Sequence, residues 1–102
     1  MANFLFLYYG GGMAATLEQQ KKSMETWTKW FGQLGKGVVD AGAPTKPGKL
    51  ISKNDTKPIG TDPVAGYTIV KANNLDEAVD MAKGAPNIQD GLQVAVYEIL
   101  PM

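Results

Sequence analysis

The chain has 102 residues, ten acidic and ten basic, and so no formal net charge. It contains no cysteine and no histidine, which excludes disulfides, thiolate metal sites and cysteine nucleophiles and removes the usual general base and the commonest metal ligand. That length makes a single domain, residues 1–102, with one modest core, and no concentrated basic block is present to bind nucleic acid by counterion release.

Asn3 to Tyr9 opens the chain as an apolar run. It is far too short to span a bilayer and has no positively charged flank, so it is read as a buried strand and not as a signal. With no targeting segment and no membrane span, a cytoplasmic location is expected. Phe4, Phe6 and Tyr8 face one way and Leu5, Leu7 and Tyr9 the other, the pattern of a central strand buried on both sides. Gly10-Gly11-Gly12 follows. With neither GxGxxG nor Gly-Lys-Ser/Thr, it reads as a flexible turn, not a phosphate loop.

Thr16 and Gln19 form a capping box for a first helix, with Glu18 in its first turn. Leu17, Met24, Trp27, Phe31 and Leu34 fall on one stripe, with Trp30 on its flank. Gly35 and Gly37 end the helix. Val38 to Ala41 is a short second strand interrupted by Asp40, and Gly42-Ala43-Pro44 turns the chain. Pro44 to Gly48 is a loop. Lys49 to Lys53 is a strand whose lysines suit an exposed edge. Asn54 to Pro58 reads as a turn, and Ile59 to Ala65 as a loop.

The last third carries the clearest signals. Tyr67 to Ala72 is a strand. Asn74 caps a helix over Leu75–Lys83, with Glu77 placed to reach back to the cap and Leu75, Ala78, Val79 and Ala82 on one apolar face. Gly84 ends that helix and Pro86 stops it from resuming. A turn leads to a final strand, Leu92–Leu100. The order strand, helix, strand, hairpin arm, strand, helix, strand makes an α+β, ferredoxin-like domain: βαβ-βαβ, an antiparallel sheet with two helices on one face. Both faces of its strands are largely apolar, and a chain this short has helices enough for one. A second copy is expected to cover the other face, giving a homodimer, a dimeric α/β barrel.

Ala41-Gly42-Ala43-Pro44, Gly66-Tyr67-Thr68-Ile69-Val70, Asn74-Leu75-Asp76-Glu77-Ala78-Val79, Gly84-Ala85-Pro86 and the closing Val96-Tyr97-Glu98 together resemble the YCII-related (DGPF-type) domain family. The resemblance spans essentially the whole chain. It implies the ferredoxin-like fold, the dimeric barrel and a pocket between helix and sheet. It also implies kinship with muconolactone isomerase and related dehalogenating enzymes, in which a His–Asp pair is the proposed acid/base. Asp40 stands where that Asp would be expected. The histidine has no counterpart, since where related sequences often read Cys-Pro-His this chain reads Ala85-Pro86-Asn87.

The candidate site residues each admit two readings. Asp40, a carboxylate in an apolar strand, is either a general base with a raised pKa or a turn residue accepting backbone amides. Glu98 either reaches a cavity or makes an ordinary surface pair. Trp27, Trp30 and Tyr67 either line a flat-walled pocket for an aromatic or lactone-like ligand or simply pack the core, and the phenols of Tyr8, Tyr9 and Tyr97 either orient a ligand or find a local partner. No trio of carboxylates has metal-binding spacing, and no cofactor is expected. Three functions stay open: a dimeric small-molecule-binding or accessory protein without a His–Asp dyad, a lyase or isomerase abstracting a proton with Asp40 from a small acid or lactone, and a structural dimerisation module.

Overall fold

The computed structural model describes residues 1–10, 17–46, 48–60 and 63–101. The Thr16 cap with Gln19, Gly11, Gly12 and the side chain of Leu17 lie outside the described residues. In chain order the elements are β1 (Ala2–Tyr9), α1 (Leu17–Leu34) with a short 3₁₀ turn at Gly35–Gly37, β2 (Val38–Asp40), β3 (Lys49–Ser52), β4 (Asp55–Pro58), β5 (Val64–Ala72), α2 (Leu75–Ala82), α3 (Pro86–Gln89) and β6 (Val94–Glu98).

The main sheet has four strands in the order β2-β5-β1-β6, all neighbours antiparallel. This is the ferredoxin-like arrangement: each half's two strands are parallel and separated by a strand of the other half, so each helix must cross over the sheet. β1 is the central strand that its two-sided apolar pattern demands. Phe4, Phe6 and Tyr8 stand opposite Val70, Thr68 and Gly66 of β5, and opposite Glu98, Val96 and Val94 of β6. This is the helix-covered side. Phe4, Phe6, Val70 and Ala72 are fully buried there, with Trp30 of α1 and Ala78 and Ala82 of α2 packed over them. Each large apolar side chain removed from water contributes about 1.5–3 kcal/mol, so β1 and its neighbours carry much of the stability.

The other side of the sheet bears Leu5 and Leu7, flanked by Ile69 and Tyr67 on β5 and by Tyr97 and Ala95 on β6. No element of the described chain packs over it. The four inner residues, Leu5, Leu7, Tyr67 and Ile69, stay only half-buried, and Tyr97 is 54% exposed.

Several local expectations need correcting. Trp30 is not on the flank of α1 but is its most deeply buried described side chain, while Met24 is 70% exposed. The reason is overhang: residues 21–26 are all exposed, and among the described residues of α1 the contact centres on Trp27, Trp30, Phe31 and Leu34 in its C-terminal half. Asn54 to Pro58 is not a turn throughout. Asp55–Pro58 is β4, pairing with β3 as a two-stranded sheet separate from the main one. Pro86 does not merely stop α2; it starts α3, because proline's missing N–H costs nothing in a first helical turn. Asn74 caps α2 as expected, its Oδ1 accepting from the Glu77 amide at 2.8 Å, while the Glu77 carboxylate reaches back to Asn73.

Candidate functional site

Six side chains were singled out from the sequence, and the fold distributes them over four places. Tyr8, Trp27 and Trp30 come together on the helix side. Tyr67 lies on the opposite face of the sheet. Asp40 and Glu98 are exposed, at the end of β2 and of β6.

The aromatic group is tightly filled. Tyr8 meets Trp27 edge-on with ring centroids 4.6 Å apart, Trp27 meets Trp30 at 5.7 Å, and Trp30 meets Phe31 at 5.3 Å. These separations are direct ring–ring contact, so the rings occupy the space a ligand would need. The Tyr8 hydroxyl donates to Thr68 Oγ1 at 2.7 Å, and Thr68 Oγ1 donates to the Ala41 carbonyl at 3.0 Å. The chain of two bonds ties β1 and β5 to the turn after β2. Burial pushes the Tyr8 phenol up to about 12, against a smaller opposing pull from its bond to Thr68. Tyr8 is therefore a neutral donor at physiological pH and not an acid ready to give up its proton.

Asp40 closes the same turn from outside. Its Oδ1 accepts the Gly42 amide at 2.8 Å, the two-residue bond typical of an Asx turn. Gly42 itself has φ +74° and passes so close to β5 that an added Cβ would sit 1.8 Å from the Tyr67 carbonyl oxygen. Only glycine fits there, and the carboxylate stabilises the loop that glycine makes possible. Of the two readings open to Asp40, this local geometry displays the turn residue.

A polar residue that sequence reasoning left in an ordinary loop is buried. Asn87, just after Pro86 in α3, is only 7% exposed. Its Nδ2 donates to the Gln93 carbonyl at 2.9 Å, and its Oδ1 has no hydrogen-bond partner among the described residues. The Gln93 carbonyl also accepts the Tyr9 amide at 2.9 Å, so Asn87 pins α3 to the junction of β1 and β6. The available signal was Ala85-Pro86-Asn87 itself: proline at a first helical position puts the next side chain in a helix, with a fixed direction. Beside this junction is an open cleft of about 320 Å³ lined by Tyr9, Ile88, Leu92, Gln93, Val94 and Ala95. Among the described residues no three Asp or Glu side chains gather as a metal site would require, and no helix is long and apolar enough to cross a membrane.

The model of the YCII-related domain matches residues 4–102, nearly the whole chain. The chain belongs to the YCII-related domain family. No curated protein matches it. Among solved structures, this YCII-related domain is similar to the 5-chloro-2-hydroxyhydroquinone dehydrochlorinase of Burkholderia phenoliruptrix AC1100 in complex with 2,5-dihydroxybenzoquinone, with 18% identity and a TM-score of 0.57 over 96% of this chain and 95% of that one. At that identity the likeness concerns the fold. It agrees with the order and pairing of the four main strands and with helices on one side of the sheet.

Proposed function

We propose that this YCII-related domain is a homodimeric small-molecule-binding or accessory protein, in which two copies close sheet to sheet and a small planar or aromatic molecule lodges against the tyrosines of the covered face. One observation carries the reading: Leu5, Leu7, Tyr67, Ile69 and Tyr97 form a continuous apolar, tyrosine-bearing surface that no described residue covers. An isolated apolar patch of this kind marks an interaction surface, and phenol-edged apolar walls suit flat, weakly polar ligands. The dehydrochlorinase that shares the fold was solved with a dihydroxybenzoquinone, which makes that molecule the natural first probe. The packed aromatic group under α1 offers no comparable space.

Proton abstraction by Asp40 lacks equivalent support, since its carboxylate is exposed and engaged with the Gly42 amide. The test is a thermal-shift screen with 2,5-dihydroxybenzoquinone, muconate-like diacids and small lactones, on wild type, Tyr67→Ala and Asp40→Asn. The reading expects a stabilising shift in wild type and Asp40→Asn that Tyr67→Ala loses. A shift abolished by Asp40→Asn and kept by Tyr67→Ala would place the site at Asp40 instead. No shift in any of the three, with a dimer still present, would favour a purely structural module.

A further inference from the structure

Among the described residues, nothing supports the β3–β4 hairpin. All of its strand residues are exposed, Ile51 at 74% and Leu50 at 51%, and none joins the core. A lone two-stranded hairpin is marginal in water. The molecule measures 40 × 38 × 20 Å, whereas four strands at the usual spacing span only about 19 Å, so the arm and the overhang of α1 extend well past the sheet. The arm leaves from a defined corner. Pro44 bridges Gly66, and the Thr45 amide donates to the Ala65 carbonyl, at the β2 edge and at the end of the sheet where Tyr8 stands opposite Gly66 and Val94.

We propose that in the sheet-to-sheet dimer the hairpin arm of each copy closes over the β1–β6 cleft of the other, seating Ile51 against Tyr9, Gln93 and Ala95. The inference rests on the dimer reading above. Area is the first argument: the paired part of a four-stranded face covers roughly 400 Å² in projection, well short of the ~800 Å² per partner of a standard stable interface even with allowance for side-chain relief. Something beyond the face must contribute, and the arm is the uncovered element beside it.

Charge then selects where the arm goes. Two identical sheets can meet face to face about a twofold axis along the strands or across them. An axis along the strands lays the arm over the second copy's β6 edge at the Val94 end, where the apolar cleft and Asp90 lie. An axis across them lays it over the β2 edge at the Val38 end, where Lys36 and Lys71 outnumber Asp40 of the same edge. The arm carries Lys46, Lys49, Lys53 and Lys57 against Asp55 alone. It is repelled by the second position and drawn to the first. Register supplies the contact surface: Ile51 lies opposite Thr56, and Lys49 opposite Pro58, so one face of the arm presents Ile51 and Pro58 together.

Because the chain has no cysteine, disulfide trapping has no background. Ile51→Cys/Gln93→Cys is oxidised and run on a non-reducing gel beside Ile51→Cys/Lys36→Cys and each single variant, all at exposed positions, with sedimentation of wild type in parallel. Disulfide formation demands Cα atoms within about 7 Å, which residues 51 and 93 of one chain do not meet, since the arm leaves the main sheet at its β2 edge and residue 93 adjoins β6 at the other. The expected result is a dimeric wild type and a covalent dimer in at least tenfold greater yield for the 51/93 pair than for the 51/36 pair. A dimer trapped through 51/36 would impose the other axis and overturn the proposal. A dimeric wild type with neither pair trapped would show that the arm stays free, and would also overturn it. A monomeric wild type would remove the dimer reading itself, and the arm contact with it.

Discussion

Gly42→Ala tests the close approach between the Asp40 turn and β5. A Cβ at residue 42 falls 1.8 Å from the Tyr67 carbonyl oxygen, although real Cβ atoms essentially never come closer than 3.0 Å to a neighbour, so the turn must move by more than 1 Å. The left-handed φ of +74° costs alanine about 1–2 kcal/mol by itself. The movement also stretches two bonds, Gly42 N to Asp40 Oδ1 at 2.8 Å and Tyr67 N to the Ala43 carbonyl at 3.3 Å, each worth about 0.5–1.5 kcal/mol. Together the loss is about 3 kcal/mol, which for a domain of this size lowers Tm by roughly 12–24 °C. Gly35→Ala is the control: φ is +56° but nothing lies within 4 Å of an added Cβ, so it costs about 1 kcal/mol, or roughly 4–8 °C. Melting both variants by circular dichroism decides the matter. If Gly42→Ala melts within a few degrees of Gly35→Ala, the turn is not held against β5 as described.

Trp30→Ala removes the most buried aromatic of α1 and is expected to cost about 3–5 kcal/mol in a urea titration, whereas Met24→Ala, on the overhanging half of the same helix, should stay within about 0.5 kcal/mol. Gly32→Ala, on the solvent side of α1's C-terminal half with open space around it, should stabilise by about 0.5–1 kcal/mol. Tyr8 gives a pH signature. Its folded value of about 12 lies above the ordinary 10.0, so above pH 10 the unfolded chain releases this proton more readily than the folded one. Stability therefore holds steady below pH 10 and falls between pH 10 and 12, by on the order of 1–2 kcal/mol after solvent screening, and Tyr8→Phe should flatten that part of the profile. Asp40→Asn keeps an acceptor for the Gly42 amide and should change stability by less than about 0.5 kcal/mol.

The fold was legible because several independent signals agreed. The two-sided apolar pattern of Asn3–Tyr9 identified the central strand, and the Asn74 cap with Glu77 identified α2. Other features depended on tertiary context. Helical periodicity located the stripe on α1, but where the sheet stops decides which part of the stripe is buried, and so Trp30 and Met24 exchanged roles. The β4 strand was hidden because Asp55, Thr56, Lys57 and Pro58 have turn-like composition, and pairing with β3 overrides it. For the candidate site, chemical type was readable while position was not. Tyr67 and Trp27 could share a pocket by composition, yet strand alternation sends Tyr67 to the face opposite Tyr8 and the tryptophans. Asn87 was missed because the helical role of Pro86 was read only as a stop.

The central claim is that the uncovered face of Leu5, Leu7, Tyr67, Ile69 and Tyr97 is closed by a second copy. Sedimentation equilibrium at low micromolar concentration, on wild type and on Ile69→Asp, tests it most directly. The account predicts twice the 10.9 kDa chain mass for wild type and a single chain mass for a folded Ile69→Asp. Wild type at 10.9 kDa, or Ile69→Asp still fully dimeric, would contradict it.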